Sequence, residues 1–145
     1  MDALNECATE VPVAPVVRAL VPEDARMGCL PRHFGYNLNI VENGIYDVMG
    51  QLCADYEGGY WNYYELSSGG FYMAPSTDAP CVISQQGNGF HGALTSDAAG
   101  IIACALVYSR LGAMLHDQKL YKAFYQLRDF ALQHEESHLI FAALD

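Results

Sequence analysis

The run His134-Glu135-Glu136-Ser137-His138 satisfies H-E-x-x-H, the pattern with the sharpest chemistry in this sequence. On a helix its two histidines lie one turn apart on one face, where they can share a zinc ion while Glu135 acts as general base. Such a site needs a third protein ligand. Position 144, where an extended motif would carry a third histidine, is Leu144, so His91, His116 or Asp117 would have to supply the ligand from upstream. Two histidines flanking acids in a charged stretch also arise without a metal, as a solvated helix face. The solvated face is the preferred reading, and a zinc-dependent hydrolase is the alternative.

Other constellations carry less. Ser67 and Ser68 lie in a turn without G-x-S-x-G context. The glycines of "GNGFHG", residues 87–92, sit between two strand-like runs rather than before a helix. They suit a hairpin turn, not a phosphate cradle, and leave His91 on the solvent side of a strand. The five cysteines (Cys7, Cys29, Cys53, Cys81, Cys104) are odd in number and contain no C-x-x-C. That supports neither a disulfide framework nor a zinc knuckle, so Cys53 and Cys104 read as small core residues in a reducing cytoplasm. No catalytic, metal-binding or cofactor-binding residue is assigned.

Residues 58–75, "GGYWNYYELSSGGFYMAP", hold six aromatic rings and four glycines in eighteen positions. They read as a hairpin turning at "SSGG". If Leu66 faces Phe71, then Tyr60, Tyr64, Phe71 and Met73 share the core face, and Trp61, Tyr63 and Tyr72 share the other with Glu65. Those last three rings are candidate partner contacts, since Tyr and Trp are enriched at interfaces. Base stacking is not expected, because residues 40–100 contain no Lys or Arg to track phosphates.

Positioning these groups requires a scaffold. Residues 1–19, with prolines at 12 and 15, read as a flexible N-terminal arm. A short helix is expected near Pro22 and should end at Pro31. Apolar positions 45, 48, 49, 52, 53 and 56 give a helical stripe, stopped by Gly58 and Gly59. The second hairpin, residues 81–94, puts Cys81, Ile83, Phe90, Gly92 and Leu94 on one face and Val82, Ser84 and His91 on the other. A helix capped by Thr95 or Ser96 follows, apolar nearly all round and thus buried, with Asp97 in its first turn. A stripe of Leu120, Phe124, Leu127 and Ala131 marks the next helix, and "EESHLIFAAL" the last. The expected fold is a single α+β domain over 20–145, with a four-stranded antiparallel meander (about residues 60–94) packed by helices before and after it.

The chain has 145 residues, enough for one real core, and 52% of them are hydrophobic. Its net charge is -10, which argues against direct binding to a phosphate backbone. No secretory leader is expected at the acidic N-terminus, and "GIIACALVY" falls well short of the ~20 apolar residues of a membrane span. An acidic surface can serve solubility or bind a partner, with Glu135, Glu136 and Asp145 as candidate contacts.

Three motifs, "LPRHFG" (30–35), residues 58–75 and "GNGFHGALTSDAAGI" (87–101), in this order and spacing, resemble the ArdB/KlcA antirestriction family. The resemblance runs from about residue 20 to the C-terminus. Ser68 departs from it, where Asn is expected, and H-E-x-x-H is not a family feature. The resemblance implies a small cytoplasmic protein of plasmids and other mobile genetic elements. Such a protein inhibits type I restriction–modification enzymes, by protein contact or indirect block, without catalysis or a cofactor, as a monomer or small homo-oligomer. A DNA mimic is the acidic-surface alternative, but residues 58–75 carry only Glu65 as an acid.

Overall fold

The long run of small and branched apolar residues after Thr95 has to be buried, and the rest of the molecule is arranged around it. The computed structural model describes residues 14–145. Strands β1 (Arg18–Leu20), β2 (Trp61–Leu66) and β3 (Phe71–Pro75) form one antiparallel sheet in that order, while β4 (Cys81–Gln85) and β5 (Phe90–Leu94) form a separate hairpin. The helices are α1 (Cys29–Phe34), α2 (Leu38–Leu52), α3 (Ser96–Leu115), α4 (Gln118–Ala131) and α5 (Ser137–Leu144). The single α+β domain is as expected, but the four-stranded meander is not: the strands divide three and two.

The reason for the division lies at the outer edge of β3. Residues Phe71 and Met73 turn their backbone groups away from β2, and side chains of α3 take them up. The Tyr108 hydroxyl donates to the Phe71 carbonyl at 2.6 Å, and the Met73 amide and carbonyl both lie 3.5 Å from Cys104 Sγ. A helix therefore satisfies the groups that β4 would have paired. Gly100 permits the approach, since a Cβ there would lie 2.5 Å from the Met73 carbonyl oxygen and 2.6 Å from Ala74 Cα. From Ala98 to Tyr108 every residue of α3 is buried, as its sequence requires.

On the first sheet, the hairpin closes with Leu66 opposite Gly70: the Leu66 amide donates to the Gly70 carbonyl at 2.8 Å. The loop is thus Ser67-Ser68-Gly69, with Gly69 at φ +100°. Glu65, not Leu66, pairs with Phe71, and this one-residue slip exchanges the two faces of β2. Trp61 and Tyr63 face the core with Phe71 and Met73 under α1 and α2, whereas Tyr60 is exposed and Tyr64 half-buried. Tyr72 stacks on Tyr64 (5.0 Å between centroids) and on Phe130 of α4 (5.7 Å). The second hairpin keeps its expected faces, with Cys81, Ile83 and Leu94 buried and Val82, Ser84 and His91 exposed.

Local stops differ too. Pro31 lies inside the first turn of α1, where its missing N–H is no loss, and Gly35 at φ +57° follows the helix. Helix α2 buries Ile45, Val48, Met49 and Leu52 as its stripe predicts and Val41 one turn before it, but ends at Leu52, because Cys53 turns extended into the core. Thr95 caps α3, its hydroxyl accepting from the Ala98 amide at 3.2 Å. Of the expected arm, Arg18 and Ala19 belong to β1, and residues 1–13 lie outside the described residues.

Candidate functional site

His134 falls in the turn between α4 and α5, and α5 begins only at Ser137. His134 and His138 therefore share no helix face. The Glu136 amide donates to His134 Nδ1 at 3.0 Å, so Nε2 carries the proton shared with Asp97 Oδ2 at 2.8 Å. Both ring nitrogens are committed, and His138 is exposed. The zinc geometry that H-E-x-x-H would need on a helix is not formed, because tertiary packing places the turn inside the motif.

What His134 joins is a polar tie between distant segments. Asp97, in the first turn of α3, also accepts from the Tyr72 hydroxyl at 2.7 Å and pairs with Arg18. Arg18 in turn donates to Tyr72 Oη at 2.7 Å and lies 4.3 Å above the Tyr64 ring. Burial alone would push the Asp97 carboxyl up. Hydrogen bonds from His134 and Tyr72 and the charge of Arg18 outweigh it, holding the group below its ordinary 3.8. Glu136 completes the tie by accepting from the Thr95 amide at 3.0 Å and from its hydroxyl.

A second cluster joins α1 to β2. Glu65 accepts from His33 Nε2 at 2.8 Å and from Arg32, and lies 3.7 Å from Cys29 Sγ. Burial, then the Glu65 carboxylate, push the Cys29 thiol up to about 12, which makes it a poor nucleophile. The described cysteines, Cys29, Cys53, Cys81 and Cys104, are all buried.

Of the expected contact residues, Trp61 (2% exposed), Tyr63 (6%) and Tyr72 (0%) lie inside the core. The Trp61 indole donates to Tyr56 Oη at 3.0 Å, and the Tyr63 ring sits under the Arg26 guanidinium at 3.8 Å. These rings build the sheet. Glu135 and Asp145 are exposed, and Glu136 is engaged at the Thr95 cap. Both polar clusters escape the sequence reading. Asp97 stands out there only as a dipole-compensating residue, and the one-turn spacing of Cys29 and His33 gains meaning only once α1 is known to start at Cys29.

The scaffold is thus an α+β domain with a helix-sealed sheet edge and internal polar ties. A family model described as antirestriction protein matches residues 54–145. Two Escherichia coli proteins named antirestriction protein KlcA are each 40% identical, one over 91% of this chain and 95% of its own, the other over 90% and 96%. A solved structure superposes with a TM-score of 0.85 at 40% identity, covering 94% of this chain and 99% of that one. It belongs to work on KlcA and ArdB reporting a novel fold and antirestriction activity against type I DNA restriction systems in vivo but not in vitro. The chain belongs to the antirestriction protein family.

The two histidines of the motif are expected to behave differently. His134→Ala removes a donor from Asp97 and an acceptor from the Glu136 amide, and should lower stability by about 1–2 kcal/mol. His138→Ala should change it by about 0.5 kcal/mol or less, as an exposed substitution. Urea unfolding followed by circular dichroism measures both, and equal losses would contradict the placement of His134.

Proposed function

We propose that this protein relieves restriction of incoming DNA by type I restriction–modification enzymes in the cytoplasm, as a non-catalytic inhibitor. The observation that carries the reading is 40% identity with KlcA across nearly the whole of both chains. An indirect block on the restriction pathway is favoured over occupancy of the enzyme's DNA-binding surface. The KlcA and ArdB activity reported in vivo but not in vitro supports this, since tight occupancy would persist with purified components. Charge supports it as well: Glu65 and Asp97, two of the chain's acids, are already paired with Arg32 and Arg18.

The test is plating of unmodified phage on a host with an active type I system. Expression of the protein should raise plating toward that of a restriction-deficient host, and unchanged plating overturns the reading. Purified protein should leave DNA cleavage by the purified enzyme unaffected. Stoichiometric inhibition in that assay would replace the indirect block with direct contact.

A further inference from the structure

We propose that Cys29, His33 and Glu65 form a binding site for a divalent cation of borderline softness, with zinc as the best fit, at the junction of α1 and β2. The sequence places Cys29 and His33 one helical turn apart, so both project from the same face of α1. Glu65 of β2 meets them there. Its Oε2 lies 2.8 Å from His33 Nε2 and 3.7 Å from Cys29 Sγ, and the three donor atoms lie within 4.8 Å of one another. Around a tetrahedral zinc, with bonds of about 2.0–2.3 Å, neighbouring donors stand about 3.3–3.5 Å apart. Inserting an ion therefore asks the His33–Glu65 contact to open by about half an ångström and leaves the Cys29–Glu65 separation nearly as it is.

The donor set selects the ion. One thiolate, one imidazole and one carboxylate suit zinc or cobalt, whereas magnesium and calcium want oxygen. The thiolate and carboxylate together neutralise the dication once the thiol proton has left. Two guanidinium groups oppose it. Arg32 pairs with Glu65, but its side chain is 57% exposed and can turn outward. Arg26 is fixed, donating to the Trp61 carbonyl at 2.8 Å and stacked on Tyr63, so its charge stays and limits affinity.

The ring of His33 is already held in place against Phe71, with centroids 5.1 Å apart. Cys29 closes the site from within at 0% exposure. A cleft of about 350 Å³, lined by Arg32, His33, Glu65 and Gly70 among others, opens it to solvent on the other side. Three protein ligands leave a fourth position facing that cleft, for water or a donor from a partner protein.

The rival explanation of the same contacts is an ion-pair cluster that needs no metal, and titration separates the two. Full-length protein without a histidine tag, stripped with chelator, is titrated with Co²⁺ and then Zn²⁺. The expected result is one Co²⁺ per chain with a near-ultraviolet thiolate-to-cobalt band, bleached by Zn²⁺. Cys29→Ser should abolish the band. His33→Gln and Glu65→Gln should each weaken binding by roughly tenfold or more, while His138→Ala leaves it unchanged. The absence of saturable binding, or binding that survives both His33→Gln and Glu65→Gln, overturns the site. A band that persists in folded Cys29→Ser assigns the thiolate elsewhere and overturns it too. Circular dichroism checks folding, and if Cys29→Ser fails to fold, the two variants at the partly exposed positions decide alone.

Discussion

Gly100→Ala should lower stability by about 2 kcal/mol, whereas Gly50→Ala should raise it by about 0.5–1 kcal/mol. Both glycines lie inside helices, where alanine gains about 1 kcal/mol of propensity. They differ in what the new methyl meets. Nothing lies within 4 Å of a Cβ at Gly50. At Gly100 the Cβ would stand 2.5 Å from Ala74 Cβ and from the Met73 carbonyl oxygen. Those neighbours are a strand backbone and a methyl fixed to it, not the end of a flexible side chain.

Relief therefore requires α3 to lift from the edge of β3, stretching the Tyr108 and Cys104 bonds that satisfy Phe71 and Met73. Overpacking of this kind costs about 3 kcal/mol, which the propensity gain offsets only in part. For a chain of this size the net loss lowers the melting temperature by roughly 6–8 °C. Scanning calorimetry of the two variants is the measurement, and a Gly100→Ala protein as stable as the parent would refute the sealed edge. Antirestriction in the plating assay should fall with Gly100→Ala and survive Gly50→Ala.

The same edge explains which parts of the fold could be read from sequence. Periodicity gives α2 and α4, and the all-round apolar run gives α3 as the buried helix, because burial alone dictates those patterns. The second hairpin keeps its expected faces, since residues 86–89 form a four-residue loop that preserves the register read from the alternation. The first hairpin does not. "SSGG" permits a three-residue or a four-residue loop, and Gly69 at φ +100° selects the shorter. One residue of difference sends Trp61 and Tyr63 inward and Tyr60 outward. The separation of the two sheets is invisible to any local pattern, because it depends on Tyr108 and Cys104 reaching a strand more than thirty positions away.

The polar clusters were hidden for a related reason. Glu65 appears in the sequence as one acid among aromatics, and only the strand register points it at α1. His134 appears as half of a metal motif, and only the turn after α4 brings it to Asp97. The charge count behaves the same way: carboxylates that add to a net charge of -10 include some already paired with cations of the same chain.

Asp97→Ala should cost about 3 kcal/mol at pH 7, the largest loss expected from a polar substitution in the described chain. Without its carboxylate, the Tyr72 hydroxyl (on a residue 0% exposed), the His134 Nε2 proton and Arg18 all lose their shared acceptor. Removing the half-buried carboxylate leaves the buried Tyr72 hydroxyl and the nearly buried His134 without their acceptor, which is why the cost exceeds that of a surface ion pair. Asp97→Asn keeps the shape and one acceptor oxygen, and should lose about 1–2 kcal/mol.

The pH dependence has a definite sign. The folded Asp97 carboxyl is held below its ordinary 3.8, so its stabilisation is complete above that value and fades as pH falls through the depressed one. The gap between the parent protein and Asp97→Asn in urea unfolding should therefore be full at pH 7 and shrink below about pH 3.8. Glu135→Gln, at an exposed acid outside the network, should leave no such gap at either pH. If Asp97→Ala lies within about 0.5 kcal/mol of the parent, the range of ordinary surface substitutions, then Asp97 does not hold β1, β3 and the α4–α5 turn together.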